Sequence, residues 1–120
     1  MYDNESQEMY LETILKIIKR KGEVRSVEIA EELGYSRPSV SRAVRLMKDD
    51  GFIVVAKDGA IELTERGREK AENVFCRHNI LTEALMKTGL DRSAAEENAC
   101  RIEHVISEDA FEAIKKYFNV

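Results

Sequence analysis

A thiol, a carboxylate and an imidazole lie within five residues of one another in the segment ENACRIEH. Cys100, Glu103 and His104 are spaced by three and four residues, which would place them on one face of a helix. Such a face can bind a divalent metal ion, hold a reactive thiol, or be an ordinary helix surface. The segment by itself leaves these three interpretations open.

Further candidate ligands occur in two other segments with a helical pattern. His78, the only other histidine, lies in the longest of these segments, and Met9 and Glu12 lie three residues apart in the first. Met9 is equally typical of a helix core, and Glu12 of a solvated surface. Both histidines nevertheless have an acid or a sulfur atom close by, which favours a metal site.

The periodicity of apolar residues predicts the helices that carry these candidates. Apolar residues recur at helical spacing in three segments, 6–22, 26–34 and 36–51, and each segment ends at a glycine. Ser26 and Ser36 are the predicted N-caps of the second and third helices. The first half of the sequence therefore begins with three consecutive helices.

A hairpin and further helices are predicted next. Two β-rich runs flank Asp58-Gly59, which is a strong hairpin signal. The later helices are expected at residues 64–87, at 93–106, where Ser93 and Glu96 match a capping box, and at 107–117. The predicted fold is mainly α with a small β-hairpin wing. A winged helix-turn-helix domain would span residues 1–70, and a helical dimerisation domain would span residues 71–120.

Composition limits the class of protein. The net charge is −4, but residues 16–70 hold 13 Lys and Arg against 10 Asp and Glu, whereas the remainder holds 6 against 13. A mildly basic stretch in an acidic chain is compatible with nucleic-acid binding. No apolar run approaches the ~20 residues of a membrane span. Two cysteines are too few for a disulfide scaffold, so we expect a cytoplasmic protein with reduced thiols.

The third predicted helix has the composition of a DNA-reading helix. Its apolar residues at positions 40, 43, 44 and 47 share one face and should pack on the second helix. The other face carries arginines, a lysine and hydroxyls, which can contact guanine and phosphate, and a proline that can touch a thymine methyl. A solvated amphipathic helix is the alternative, which the preceding turn and the following hairpin disfavour. The candidate DNA-binding residues are Ser36, Arg37, Pro38, Ser39, Ser41, Arg42, Arg45, Lys48 and Lys57, with Arg25, Arg66 and Arg68 as weaker candidates.

Five segments carry a resemblance to a known family. They are EMYLETIL, SVEIAEELGYSRPSVSRAVRLMKDDGFIVV, LTERGR, RHNILTEAL and ACRIEHVIS, in that order, and they extend over about residues 6–118. In type and order they resemble the diphtheria-toxin-repressor and manganese-transport-regulator family of metal-dependent repressors. The first and last segments are the most specific.

The resemblance implies a dimeric winged helix-turn-helix protein whose metal-loaded form binds a palindromic operator. It also implies a metal site between the first helix and the dimerisation helices. By the resemblance, the positions of the iron-type primary site are those of Met9, Cys100, Glu103 and His104. His78 occupies the position of the histidine that contributes to a neighbouring site. Glu12 matches an acidic ligand of the manganese-type members.

The chain departs from the family pattern in ways that bear on the metal. Manganese-type members carry an aspartate at the position of Met9 and a glutamate at that of Cys100, so the sulfur pair resembles the iron type. Sulfur ligands independently favour Fe(II), with Co(II), Ni(II) or Zn(II) as substitutes, over Mn(II). Thr82 stands where an acid often follows the site histidine. An altered second site would have Glu83 and Glu96 as its candidates.

The sequence therefore predicts an Fe(II)-responsive repressor that binds a palindromic operator as a homodimer and controls metal-uptake genes. Its partners would be double-stranded DNA and a second copy, with no membrane and no small organic substrate. An Mn(II)-responsive member of the same family and a redox regulator sensing through Cys100 are the alternatives. A metalloenzyme with Glu103 as general base lacks a supporting motif, and a metal-blind DNA-binding module remains open.

Overall fold

The computed structural model describes residues 2–120, which form six helices and one two-stranded antiparallel sheet. The fold is mainly helical with a β-hairpin wing, as the sequence predicts. Within these residues no helix combines the length and the apolar character needed to cross a membrane. The elements are α1 (Asn4–Lys21), α2 (Ser26–Leu33), α3 (Arg37–Asp49), β1 (Ile53–Val55), β2 (Ile61–Leu63), α4 (Glu65–Lys87), α5 (Arg92–Ile102) and α6 (Glu108–Phe118).

The chain divides into two compact units. The first extends to Glu72 and the second spans Asn73–Val120, so the boundary falls inside α4. The first unit contains α1 to α3, the hairpin and the first turns of α4. The second contains the remainder of α4 with α5 and α6.

The predicted helix ends of the first unit are confirmed. Gly22 (φ 89°) and Gly34 (φ 70°) follow α1 and α2 in the left-handed conformation that glycine adopts at low cost. Ser36 caps α3, because its hydroxyl oxygen accepts the Ser39 N–H at 3.3 Å. Pro38 occupies the first turn, where a missing N–H costs nothing.

Two predicted caps and one predicted helix end were wrong. Arg25, and not Ser26, is the N-cap of α2, with its N–H donating to Glu28 Oε1 at 3.0 Å. Asp91, and not Ser93, caps α5. The Asp91 carboxylate accepts the Ala94 N–H at 2.8 Å, and Ser93 lies inside the helix. The same helix ends at Ile102 instead of residue 106, and a turn leads from there to the Ser107 cap of α6.

The core of the first unit lies where α1, α2 and α3 pack together. The apolar face predicted for α3 is confirmed, since its residues at positions 40, 43, 44 and 47 are all buried. The fully buried side chains of this unit include Leu11, Ile14, Leu15, Ile17, Ile29, Met47, Ile53 and Ile61. The exposed face of α3 is thereby held by packing on its opposite side.

The wing is attached to the segment that precedes α2. Its strands pair with Ile53 opposite Leu63 and Val55 opposite Ile61. The Ile61 N–H also donates to the Val24 carbonyl at 2.8 Å. Because three-residue strands are marginal alone, this extra hydrogen bond helps to fix the hairpin.

Gly67 allows the start of α4 to approach the wing closely. A Cβ atom built on Gly67 would lie 1.9 Å from the Phe52 carbonyl oxygen. Thr64 reinforces the junction, because its hydroxyl donates to the Gly51 carbonyl at 2.7 Å and accepts the Gly67 N–H at 3.1 Å. Only glycine fits this position without displacing backbone.

The second unit has a small core of its own. Leu81, Ala99 and Phe111 are buried together, one from each of its three helices. Partly buried apolar residues pack around them, namely Ile80, Leu85, Ile102, Ile106 and Ile114. Val105 and Tyr117 are exposed, the latter to 83%.

Candidate functional site

A buried carboxylate lies against two imidazoles in the second unit. Glu103 directly follows the last residue of α5 and its side chain is 0% exposed. Its Oε2 is 2.6 Å from Nδ1 of His78 on α4, and its Oε1 is 3.1 Å from Nε2 of His104. The structure thus brings together three residues that the sequence singled out as metal ligands.

The end of α5 is fastened to α4 beside this cluster. Arg77 donates from Nη1 to the main-chain carbonyl of Glu103 at 2.9 Å. Its guanidinium also lies 5.6 Å from the centre of the Phe111 ring. Sequence analysis missed Arg77, which no motif marks apart from its position next to His78.

The donor set of the second unit fits a divalent transition metal. A carboxylate that accepts from an imidazole N–H fixes the ring orientation and increases the basicity of the other ring nitrogen. With Nδ1 of His78 directed at Glu103, its Nε2 is the atom available to a metal. Oxygen and imidazole nitrogen donors suit several first-row divalent ions, so these residues by themselves do not select one.

Cys100 differs from the residues it was grouped with. It lies on the last turn of α5 and is exposed, whereas Glu103 and the His104 side chain are buried. α5 ends at Ile102, and its C-cap Glu103 retains helical backbone angles, with its N–H donating to the Ala99 carbonyl. The role of Cys100 as a ligand stays a prediction. Glu83 and Glu96, the candidates for a second site, are both exposed, and Glu96 Oε1 lies 3.5 Å from Arg92 Nη1.

The candidate ligands of α1 lie in the first unit. Glu12 is only 3% exposed, which is contrary to the solvated alternative, and its Oε2 is 3.8 Å from Lys16 Nζ. Met9 is half-buried, and its sulfur accepts a hydrogen bond from the Tyr35 hydroxyl at 3.7 Å. Sequence analysis also missed Tyr35, which belongs to the turn between α2 and α3.

The candidate DNA-binding residues form an exposed basic surface on the first unit. All of the predicted positions on α3 and its cap are exposed, as is Lys57 in the wing turn. They are Ser36, Arg37, Pro38, Ser39, Ser41, Arg42, Arg45 and Lys48. The hydroxyls and cations therefore face solvent and are available to a ligand.

The three weaker cationic candidates are engaged within the protein. Arg66 donates to the Asp50 carbonyl and stacks on Phe52, and Arg68 pairs with Glu72 at 3.6 Å. Arg25 joins two carboxylates, those of Glu23 and Asp58. Their charges are partly compensated by these contacts.

Arg25 bridges the start of α2 and the tip of the wing. Its Nη1 is 2.9 Å from Glu23 Oε1 and its Nη2 is 3.1 Å from Asp58 Oδ2. The hydrogen bond to Glu23 is the main reason that the Arg25 pKa is raised. The pKa of Asp58 is lowered, first by the Ala60 N–H that its carboxylate accepts and then by Arg25.

Two models of one family match the chain in order. The N-terminal DNA binding domain of the iron dependent repressors matches residues 4–61. The metal binding and dimerisation domain of the same repressors matches residues 64–120.

Named relatives and solved structures agree with these matches. The chain is 38% identical to the iron-dependent repressor IdeR of Mycobacterium tuberculosis over 116 residues, or 96% of this chain and 50% of that protein. It is 37% identical to the diphtheria toxin repressor of Corynebacterium diphtheriae over 106 residues, which are 88% of this chain and 47% of that protein. The chain thus spans about half the length of the curated relatives it matches.

Solved structures give the same result for the fold. The structure of T. acidophilum IdeR matches with a TM-score of 0.81 and 26% identity over 94% of this chain and 54% of that one. The structure of the manganese regulator SloR matches with a TM-score of 0.79 and 26% identity, over 99% of this chain and 55% of that one. With both halves matched by models of one family and with relatives at 38% identity, the chain belongs to the iron-dependent repressor family that includes the diphtheria toxin repressor.

Proposed function

We propose that this protein is a metal-dependent transcriptional repressor that responds to Fe(II), binds a palindromic operator as a homodimer, and controls metal-uptake genes from the cytoplasm. The observation that carries the proposal is that one chain combines the exposed basic face of α3 with the buried Glu103 cluster. The family consists of transcriptional repressors and not of enzymes, which supports a binding function.

The DNA-binding part of the proposal assigns roles to the surface of α3. Arg42 and Arg45 would read base edges in the major groove, where arginine can bind guanine in a bidentate way. Lys48 and Lys57 would contact phosphates, as would the hydroxyls at the start of the helix. In a two-fold symmetric dimer, two such helices would enter successive major grooves ~34 Å apart.

The metal-binding part of the proposal rests on donor chemistry. A bound divalent cation would compensate the charge of the buried Glu103 carboxylate. The proposed ligand set is Met9, Glu12, His78, Cys100, Glu103 and His104. The thioether of Met9 and the thiol of Cys100 are soft donors, which favour Fe(II) over the harder Mn(II).

Coupling between metal and DNA follows from where the proposed ligands lie in the chain. Met9 and Glu12 belong to α1, the helix that packs with α3, whereas the remaining ligands belong to the second unit. By linkage, operator DNA must raise the affinity for the metal by the factor with which the metal raises the affinity for DNA.

Anaerobic binding to a labelled palindromic duplex tests the proposal. Fluorescence anisotropy would be recorded with Fe(II) and with Mn(II) at equal free-metal concentrations. A third measurement would use a chelator that removes free metal. We expect tight binding with Fe(II), weaker binding with Mn(II), and little with chelator. Equal binding with chelator would overturn metal dependence, and stronger activation by Mn(II) would make the protein a manganese regulator, as SloR is named.

A redox regulator is the second candidate, because Cys100 is exposed and therefore accessible to an oxidant. In that case the thiol would respond to oxidant and metal would be dispensable.

A further inference from the structure

A cavity of about 450 Å³ lies beside the start of α3 in the first unit. Small-molecule sites in proteins are typically ~300–1,000 Å³, so the cavity is large enough for a single-ring compound. Three tyrosines line it, together with hydroxyl and guanidinium groups of α3. The residues that matter here are Tyr2, Tyr10, Tyr35, Ser36, Ser39 and Arg42.

The tyrosine rings form an aromatic wall. The centre of the Tyr10 ring lies 6.4 Å from that of Tyr2 and 6.1 Å from that of Tyr35. The Tyr10 and Tyr35 planes meet at 68°, an edge-to-face arrangement. Rings arranged in this way offer both faces and edges to a further planar ring.

Tyr10 brings a hydroxyl group to the lining of the cavity. The residue is only 5% exposed, and within residues 2–120 its contacts with the other cavity tyrosines are ring contacts alone. A phenol hydroxyl is a hydrogen-bond donor, so a ligand that places an acceptor beside it would be stabilised. Burial raises the pKa of Tyr10, which keeps this hydroxyl protonated and able to donate.

Arg42 gives the cavity its charge. Among residues 2–120 no ion pair or hydrogen bond engages its guanidinium, in contrast to Arg25 on the same unit. The Ser39 hydroxyl lies on the same side of α3 and accepts from Ser36 at 2.9 Å. A cation beside neutral phenols and hydroxyls selects an anionic ligand.

We propose that this cavity binds a single-ring aromatic carboxylate. The ring would lie against the three tyrosines, and the carboxylate would pair with Arg42 and accept from the Tyr10 hydroxyl. Binding itself does not depend on the proposed repressor function. One consequence rests on it: because Arg42 is also a proposed DNA contact, the ligand and operator DNA would compete.

Tyrosine fluorescence provides a direct measurement without DNA. The chain has no tryptophan and four tyrosines, of which only Tyr117 lies outside the cavity. Benzoate would be titrated into the full chain, with benzyl alcohol and inorganic phosphate as separate arms. We expect a saturable change with benzoate in the millimolar range or below, and at least about tenfold weaker binding of the other two.

Two variants with matched controls locate the binding. Tyr10→Phe should weaken benzoate binding by roughly threefold to tenfold and Arg42→Gln by about tenfold or more. Tyr117→Phe and Arg45→Gln make the same chemical changes outside the cavity and should leave the affinity for benzoate unchanged. Circular dichroism of each variant verifies that it is folded.

Three outcomes would overturn the proposal. The first is no saturable signal up to ~10 mM benzoate, which is weaker than any useful site. The second is that phosphate binds as tightly as benzoate, which would mean that the cavity binds small anions without selecting an aromatic ring. The third is a loss of benzoate affinity in the Arg45→Gln control that equals the loss in Arg42→Gln. If benzoate binds as expected but does not displace the operator duplex, the site stands and the competition is wrong.

Discussion

Glu103 and His78 are 25 positions apart in the sequence, yet Oε2 of one lies 2.6 Å from Nδ1 of the other. The carboxylate is fully buried, so its negative charge depends on nearby donors and cations for stabilisation. His78 supplies one donor, and Arg77 fixes the main chain of the same residue. Glu103 is therefore the residue whose replacement should disturb the proposed metal centre most.

Replacing Glu103 with glutamine should lower metal affinity by at least about tenfold. The amide retains the shape but loses the charge that a cation would compensate. Isothermal titration with Co(II) as an air-stable probe measures the change. Glu97→Gln removes a carboxylate from the exposed surface of α5, the helix that Glu103 directly follows, and should have little effect. Equal metal affinity in wild type and Glu103→Gln would contradict the assignment.

Cys100→Ser should shift metal preference away from Co(II) and Fe(II) and towards Mn(II), because a soft donor is exchanged for a hard one. The thiolate-to-Co(II) charge-transfer band should disappear in this variant and persist in Cys76→Ser, whose thiol is likewise exposed. A pure redox sensor would behave differently. Cys100→Ser would then lose its response to oxidant and keep the metal affinity and preference of the wild type.

Arg45→Ala should weaken operator binding by ~1–3 kcal/mol and relax the preference at one base pair, if Arg45 contacts a base edge. Lys48→Ala should weaken binding by a similar factor on all sequences, since a phosphate contact carries no sequence information. Competition with a library of operator variants distinguishes the two patterns. Lys116→Ala, an exposed lysine on α6, serves as the control.

Gly67→Ala should destabilise the protein by at least about 2 kcal/mol through overpacking. The added methyl would collide with the Phe52 carbonyl oxygen, and main-chain atoms cannot rotate away as a side chain can. Urea denaturation measures the loss as a lower midpoint. Glu69→Ala on the same helix is exposed and should change the midpoint little. A midpoint of Gly67→Ala equal to wild type would mean that the junction yields more easily than its packing indicates.

The wing should lose part of its anchoring in acid. The pKa of Asp58 is lower in the folded protein, so its stabilising effect is present above the unfolded value of ~3.9 and is lost as pH falls through the folded value. Asp58→Asn retains an acceptor for the Ala60 N–H but not the charge. Its melting temperature should lie below that of wild type at pH 7 and approach it below about pH 4. Glu62→Gln, on the exposed side of β2, should show no such convergence.

Local signals made much of the fold predictable. Gly22 and Gly34 mark helix ends because glycine readily adopts a positive φ, and the apolar spacing of α3 identifies its buried face. The caps were less certain, since Asp91 and Ser93 are both good cap residues two positions apart. The close packing of Gly67 could not be predicted from the sequence near it, because its partner Phe52 lies in the turn between α3 and β1.

The candidate site was predictable only in part for the same physical reason. Spacing identified Glu103 and His104 as neighbours, but the contact of Glu103 with His78 depends on how α4 and α5 pack. The difference in exposure between Cys100 and Glu103 was not predictable from their spacing, because it depends on which side of this segment packs against the other helices of the second unit. Whether Cys100 binds metal stays a prediction.

The anchoring of the wing through Arg25 implies an unusual response to ionic strength. Dissolved ions weaken exposed ion pairs such as Arg25–Asp58, and they also weaken the attraction of α3 for phosphates. Added salt would therefore loosen the hairpin that carries Lys57 while it also weakens each phosphate contact. A plot of log affinity against log salt concentration should be steeper than the number of phosphate contacts alone predicts.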